Sequence, residues 1–316
     1  MPRRILITGG AGFIGSNLVV YLNSHSPDWE IQVLDDLSTG LSSNLDGLQC
    51  NLVVGSILDS KILAEIAAGV DHIVHLAAIG SVPRSISSPR PTHDANITGT
   101  LNVLETARRH SVEHVIVASS SSVYGSNPSL PRSEFDWTRP LSPYAVSKLA
   151  TEAYANAYAT SYGMKTVAFR FFNVFGPRQR SDHPYAAVIP KFVSAALANT
   201  PLTIHGDGTQ TRDFTFVESV CDAIHTTISE SLHFEHPVNL AFGSRVSLLE
   251  VVGILEVLLQ KQLQVEHTEI RAGDIKASQA ETSLLREALP FLSNFDLEAG
   301  LQKTIDWLQS DSSAPD

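Results

Sequence analysis

Apolar residues along this chain recur in two alternating rhythms. Short runs such as Ile5-Leu6-Ile7 and Ile31-Gln32-Val33-Leu34 have the length and β-branched content of buried strands. After the first of them, apolar residues return at helical spacing at Phe13, Ile14, Leu18, Val19 and Leu22. The same reading gives strands over 52–54, 71–78 and 114–118 and helices over 62–67 and 92–110, the latter with Leu101, Leu104 and Ala107 on one face. Strands alternating with helices predict a Rossmann-type α/β fold, a doubly wound parallel sheet that binds ligands outside the carboxyl ends of its strands. Past residue 170 the rhythm changes. A Pro-rich connection leads into a helix over 188–197, and Val238-Asn239-Leu240 reads as a return to the sheet. Leu248, Val251, Val252, Leu255, Leu258 and Leu259 form one helical core stripe, and Leu297, Leu301, Ile305 and Leu308 another.

The break between the first strand and the first helix carries the first chemistry. Gly9, Gly12 and Gly15 are spaced Gly-x-x-Gly-x-x-Gly within Thr8-Gly9-Gly10-Ala11-Gly12-Phe13-Ile14-Gly15. Glycine lets a diphosphate approach backbone N–H groups at a helix N-terminus, where a Cβ would stand in the way. A glycine cluster alone is also what a plain strand-to-helix turn would use; the flanking strand and helix patterns favour the phosphate turn. Asp35 closes the second strand twenty residues beyond Gly15, where a dinucleotide fold sets a carboxylate on the adenosine ribose. Asp35-Asp36 would repel a 2′-phosphate, and residues 37–48 contain no Lys or Arg, so NAD is expected rather than NADP.

Bulk properties narrow the picture. The 316 residues carry 22 Lys plus Arg against 33 Asp plus Glu, a formal net charge of −11. That balance gives a sequence-independent nucleic-acid binder no basic excess to use, so no nucleic-acid partner is expected. No apolar run reaches membrane-spanning length and no signal peptide is visible, which makes a cytoplasmic protein without a membrane partner the expectation. Cys50 and Cys221 lie far apart without metal-ligand spacing, so reduced core thiols and no metal site are expected.

The second chemical signal lies past the fifth strand. Ser119-Ser120-Ser121-Ser122-Val123-Tyr124-Gly125 follows it, and later comes Pro140-Leu141-Ser142-Pro143-Tyr144-Ala145-Val146-Ser147-Lys148. Tyr144 and Lys148 are four apart at the start of a helical stretch expected over 147–162, so they share a face. An ammonium beside a phenol favours the phenolate, and a nicotinamide cation would add to it; a tyrosine so placed can act as a base near neutral pH. His72 and His75, by contrast, sit in a strand where histidine is more often structural.

With these motifs the chain resembles the extended short-chain dehydrogenase/reductases, and within them the nucleotide-sugar 4-epimerases of the UDP-galactose 4-epimerase type. The resemblance runs from the glycine turn through Arg170-Phe171-Phe172-Asn173-Val174-Phe175-Gly176-Pro177 and Gly206-Asp207-Gly208-Thr209-Gln210-Thr211-Arg212-Asp213-Phe214 to Arg271-Ala272-Gly273-Asp274. It implies that Tyr144 is the base, that Lys148 holds the nicotinamide ribose and that Ser120 bonds the reacting sugar hydroxyl. Ser56, Ile57, Leu76, Ala77 and Ala78 are implied to line the NAD site. For the UDP-sugar it implies Ser81, Arg84, Ser121, Asn173, Arg212, Arg271, Asp274 and Ser278. It further implies a homodimer pairing through parts of 92–110 and 147–162.

The implied domains are an NAD-binding unit over 1–170 plus about 213–242, a UDP-sugar lobe over about 171–212 plus 243–309, and a disordered tail over 310–316. Dehydratases of this family carry an Asp-Glu pair after the Ser/Thr, and glucuronate decarboxylases keep the Glu; this chain has Ser121-Ser122. The resemblance therefore favours 4-epimerisation through a transient 4-keto sugar. Ser278 falls at the sugar gate, where a small residue leaves room for a 2-acetamido group, so UDP-GlcNAc/UDP-GalNAc are the expected substrates, with UDP-Glc/UDP-Gal as well. Gly80-Ser81-Val82-Pro83-Arg84-Ser85 points the same way. UDP-glucuronate 4-epimerisation is the alternative, followed by a dehydratase or decarboxylase and by an NAD-binding regulator. Three positions depart from the family pattern: Ser56 where relatives often carry an adenine-binding Asp, Glu218-Ser219 in place of an acidic pair, and Glu281 in place of Asp.

Overall fold

The computed structural model describes residues 2–182, 186–269 and 276–311. Six strands in sequence build the first half: β1 (Arg4–Thr8), β2 (Glu30–Asp35), β3 (Asn51–Val54), β4 (His72–His75), β5 (His114–Ser120) and β6 (Lys165–Phe171). The helices between them are α1 (Phe13–His25), α2 (Ser60–Ile66), α3 (Val82–Ser87), α4 (Pro89–His93), α5 (Gly99–Arg109) and α6 (Pro143–Tyr162). Then follow β7 (Val174–Phe175), α7 (Val188–Leu197), β8 (Leu202–His205), β9 (Thr211–Arg212), β10 (Thr215–Phe216), α8 (Val217–Ser229) and β11 (Val238–Leu240). β12 (Val246–Ser247), α9 (Leu248–Leu259), β13 (Val265–Thr268), α10 (Ser283–Ala288) and α11 (Leu297–Asp311) complete the described chain.

Seven strands form one sheet in the order β11-β6-β5-β4-β1-β2-β3, and every pairing in it is parallel. The doubly wound α/β fold expected from the alternation is the fold observed, with Val238–Leu240 returning to the sheet edge beside β6. The reason is visible in β1. Ile5 and Ile7 belong to one buried cluster with α1 and α8, while Leu6 faces the opposite cluster with α5 and α6. A strand covered on both faces must be apolar at every position. The first cluster continues without a break into Phe192, Val193, Leu202, Ile204, Val251, Leu255, Leu301 and Ile305, so the C-terminal elements share this core. Their small sheets, β8 with β13 and β9 with β12, lie outside the main sheet.

Three elements differ from the sequence reading. The helix expected over 92–110 is a helical run over 89–109 interrupted by a π-turn at Asp94–Thr98, where the Gly99 N–H bonds back to the Asp94 carbonyl. The helix expected from 147 begins at Pro143: proline at the first helical position needs no N–H, and the Ser142 hydroxyl accepts the Ala145 N–H at 3.1 Å. Ser310, assigned to a disordered tail, lies within α11, with its hydroxyl donated to the Trp307 carbonyl; 312–316 lie outside the described residues. Among the described residues no helix is long and apolar enough to cross a membrane, and no cluster of three metal-ligating side chains occurs.

Candidate active site

Every strand of the main sheet ends on the same edge, and the glycine turn, Asp35 and the Ser120, Tyr144 and Lys148 cluster lie there. β1 runs into Gly9 at φ +73°, a left-handed backbone where a side chain is strained. A Cβ on Gly9 would fall 2.6 Å from the Ala77 nitrogen, so the turn packs directly on Leu76 and Ala77 after β4. Gly15 in turn lies against the Gly9 carbonyl with no room for a side chain. Gly12 caps α1 without a side-chain acceptor, and the first-turn N–H groups, those of Phe13 and Ile14 among them, have no partner within the helix. Bare backbone donors at a helix N-terminus, kept clear by three glycines, fit the diphosphate of a dinucleotide.

Asp35 stands at the end of β2 with 7% of its surface exposed, and the N–H groups of Ala11 and Leu37 each donate to its carboxylate at 2.9 Å. Burial raises its pKa while these backbone donors oppose the rise. The acid thus ties the glycine turn to the second strand, a contact that spacing alone did not reveal. Ser56 accepts the Leu58 N–H at 3.2 Å, and Ile57 is buried against Gly99. Leu76, Ala77 and Ala78 are half-buried along the same edge.

Ser120, Tyr144 and Lys148 come together beyond β5. The Ser120 hydroxyl lies close enough to the Tyr144 phenol to favour its ionised form. Tyr144 is also fixed through its backbone, whose N–H donates to the buried Ser85 hydroxyl of α3 at 3.1 Å. Lys148 is 6% exposed and donates to the Ala118 carbonyl at 2.9 Å; burial lowers its pKa to about 8. The sequence led to the expectation that Lys148 would depress the tyrosine. In the structure burial is the main influence and raises the phenol, the nearby Ser120 hydroxyl opposing it, and the ammonium is aimed at the strand carbonyl. A cationic ring beside the phenol is what would bring it down.

A buried polar network lies under these groups. Glu152, one turn after Lys148, accepts from Arg170 at 2.7 and 3.0 Å and from the Ser119 hydroxyl at 2.7 Å. Arg170 also donates to the Tyr124 hydroxyl at 2.9 Å, and Tyr124 donates to Asn239 at 2.6 Å. On the other side, Asn96 in the π-turn binds the Ile79 N–H at 2.8 Å and the Ser147 hydroxyl at 2.9 Å, joining the loop after β4 to the Tyr144 helix. His75 is held between the Thr8 and Thr100 hydroxyls at 2.7 and 3.0 Å, and burial pushes its pKa down to about 3. It is a neutral strut, in keeping with the structural reading.

The remaining expected residues are more dispersed. Ser81 caps α3 by accepting the Arg84 N–H at 3.2 Å, and Arg84 is half-buried. Asn173, at φ +37°, donates to the Asp213 carbonyl at 3.0 Å. Arg212 donates to the Thr211 carbonyl at 2.9 Å. The Ser278 N–H donates to the Thr211 carbonyl at 3.1 Å, which sets Ser278 beside β9. Ser278 and Ser121 then line one small polar cavity with Tyr124, Arg132, Phe172 and Ala277. Arg271 and Asp274 lie outside the described residues.

The sequence model of the NAD dependent epimerase/dehydratase family matches residues 5–241, a range that contains the glycine turn and the Ser120, Tyr144 and Lys148 cluster. The chain belongs to this family. The UDP-glucose 4-epimerase of Mycolicibacterium smegmatis is 34% identical, over 98% of this chain and 99% of that protein. A UDP-N-acetylglucosamine 4-epimerase from Methanobrevibacter ruminantium M1, solved with UDP-N-acetylmuramic acid, superposes with a TM-score of 0.92 at 34% identity, covering 98% of this chain and 99% of the other. A UDP-glucuronic acid 4-epimerase from Bacillus cereus, solved with UDP-glucuronic acid and NAD, gives a TM-score of 0.87 at 29% identity, over 97% and 99% of the two chains. The chain is thus an enzyme of the NAD-dependent epimerase/dehydratase family whose homologues include UDP-sugar epimerases, and NAD is its cofactor.

Sequence reasoning overlooked Asn96, Glu152, Arg132 and Ser85. Only Glu152 carried a signal, since it repeats the four-residue spacing of Tyr144 and Lys148 along α6.

Proposed function

We infer that the protein is a UDP-hexose 4-epimerase that keeps NAD bound through turnover and accepts UDP-GlcNAc/UDP-GalNAc, with UDP-Glc/UDP-Gal as further substrates. The observation that carries this reading is the placement of Ser120, at the end of β5, beside the Tyr144 phenol, with Ser121 and Ser122 following it in place of acids. NAD supplies reversible oxidation at the sugar carbon. Ser120 orients the reacting hydroxyl and Tyr144 takes its proton, later returning it to the same oxygen when the carbon has inverted. Lys148, with its pKa near 8, can carry charge next to the cofactor ribose without a carboxylate beside it.

Turning the sugar between the two half-reactions requires a held nucleotide and a loosely held ring. Arg212 and Asn173 suit the diphosphate. Neither Ser121 nor Ser122 can act as the acid that elimination or decarboxylation chemistry of this family would use. The small Ser278 supports an acetamido-sized substituent. Similarity to a UDP-glucuronic acid 4-epimerase keeps glucuronate as the second reading.

The test is incubation of purified protein, without added NAD, with UDP-GlcNAc, UDP-Glc and UDP-GlcA in separate tubes, followed by NMR of the anomeric and C4 protons. One 4-epimer from one sugar is the expected result. A 4-keto-6-deoxy sugar or a pentose would overturn the reading.

A further inference from the structure

Ser85 closes the segment Gly80-Ser81-Val82-Pro83-Arg84-Ser85, and the proposed chemistry leaves it unused. It is 0% exposed, and its hydroxyl donates to the Val82 carbonyl at 2.7 Å while accepting the Tyr144 N–H at 3.1 Å. A serine has a single O–H to give, so spending it on Val82 leaves a lone pair for Tyr144. The run from N–H to O–H to C=O polarises in one direction, and each bond strengthens the next.

The start of α6 needs that acceptor. Pro143 has no N–H, the Ala145 N–H is taken by the Ser142 hydroxyl, and the Val146 N–H by the Ser142 carbonyl at 3.0 Å. Tyr144 is the residue of this turn whose N–H finds its partner outside the helix and its cap. Its carbonyl is held from the same side. The Ser147 hydroxyl donates to it at 2.7 Å and accepts from the Asn96 amide, which bonds the Ile79 N–H and carbonyl at 2.8 and 3.2 Å. Both main-chain groups of Tyr144 thus lead back to residues 79–85, one directly and one through Ser147 and Asn96. Ser81 and Arg84, expected at the UDP-sugar, stand on that same short segment. A tyrosine ring is rigid along its length, so a small shift of its main chain is carried undiminished to the hydroxyl.

We propose that Ser85 is a positioning residue for the reaction: it pins the main chain of Tyr144 to the sugar-side segment and so sets the alignment of the phenol with Ser120 and the reacting hydroxyl. This rests on the reading of Tyr144 as the base.

NMR of the NAD-loaded protein, carrying carbon-13 at the tyrosine ring carbon that bears the hydroxyl, follows the phenol directly, and the Tyr144 signal is identified by its loss in Tyr144→Phe. Ser85→Ala raises the midpoint of the Tyr144 titration by about half a pH unit or more, because the Ser120 hydroxyl, which favours the ionised phenol, is no longer held against it. It lowers kcat about 3- to 30-fold for the UDP-sugar epimerised in the test above and changes KM less than about twofold. Ser85→Cys, whose sulfur is a weak acceptor, falls between Ser85→Ala and wild type, and it serves as the test if the alanine variant does not fold. Val251→Ala, which destabilises the core far from the site, leaves the midpoint where it was. An unmoved midpoint, or an unchanged kcat in a protein that forms a 4-epimer, overturns the proposal and leaves Ser85 as packing between α3 and α6. A raised midpoint in a protein that forms no 4-epimer supports Ser85 while overturning the epimerase reading, and an unmoved midpoint in a working epimerase does the reverse, so the two fail separately.

Discussion

Removing Glu152 tests whether the network beneath Ser119 and Ser120 holds the site together. The Glu152 and Arg170 side chains are 6% and 4% exposed, and three hydrogen bonds of 2.7 to 3.0 Å converge on the carboxylate. Glu152→Ala strands a buried guanidinium and a buried hydroxyl together. Breaking a buried pair from one side costs about 3–5 kcal/mol, a large share of the ~5–15 kcal/mol that stabilises an ordinary domain. Replacing both partners, as in Glu152→Leu with Arg170→Met, removes the stranded charge, and the Tyr124 hydroxyl still has Asn239 to donate to at 2.6 Å. The double variant is therefore more stable than Glu152→Ala by about 2 kcal/mol or more. Urea titrations of the wild type, Glu152→Leu, Arg170→Met and the double variant give the cycle, with Glu152→Ala measured beside them, provided the slopes agree. A loss below about 1 kcal/mol for Glu152→Ala, or strictly additive single effects, would refute the reasoning.

Other consequences follow from single contacts. Gly9→Ala sets a Cβ 2.6 Å from the Ala77 nitrogen on a backbone at φ +73°, so the purified variant should lack the bound-NAD absorbance and melt earlier than wild type. His114 is fully buried, neither ring nitrogen has a partner, and burial, then His72, lowers its pKa to about 4. Its folded pKa lies below the unfolded value near 6.5, so the unfolded chain gains the proton first and stability falls as pH drops from about 6.5 to 4, by ~3 kcal/mol for this residue. His114→Leu should flatten that part of the stability–pH profile; an unchanged slope would show that other groups set it. Ser278→Tyr narrows the cavity shared with Ser121 and should lower kcat/KM for UDP-GlcNAc at least about tenfold more than for UDP-Glc, whereas equal effects would remove Ser278 as the gate.

The fold was largely legible because its signals are local. Continuous apolar runs mark strands covered on both faces, and Ile5 to Ile7 with Leu18 and Leu22 show one strand and one helix of that kind. The glycine turn and the Tyr144-Lys148 pair were legible for the same reason, since each motif acts within a few residues of itself. What stayed hidden depends on distant partners. Asn96 reads as one polar residue of an amphipathic helix until the π-turn aims it at Ile79 and Ser147, 17 and 51 residues away. Arg132 looks like a surface cation in a loop until pairing with Gln279 and Glu281 buries it beside Ser278. The start of α6 was placed four residues late, although Pro143 occupies the one helical position that suits proline.

The central claim is that one carbon of the sugar is oxidised and then reduced within the same closed site. UDP-GlcNAc and UDP-GlcA bearing deuterium at C4, supplied without added NAD in ordinary water and followed by NMR, test it directly. The account predicts that the 4-epimer formed keeps its deuterium at C4, and that Tyr144→Phe slows its appearance by at least about a hundredfold. Loss of the label to solvent, or a Tyr144→Phe rate close to wild type, would contradict it.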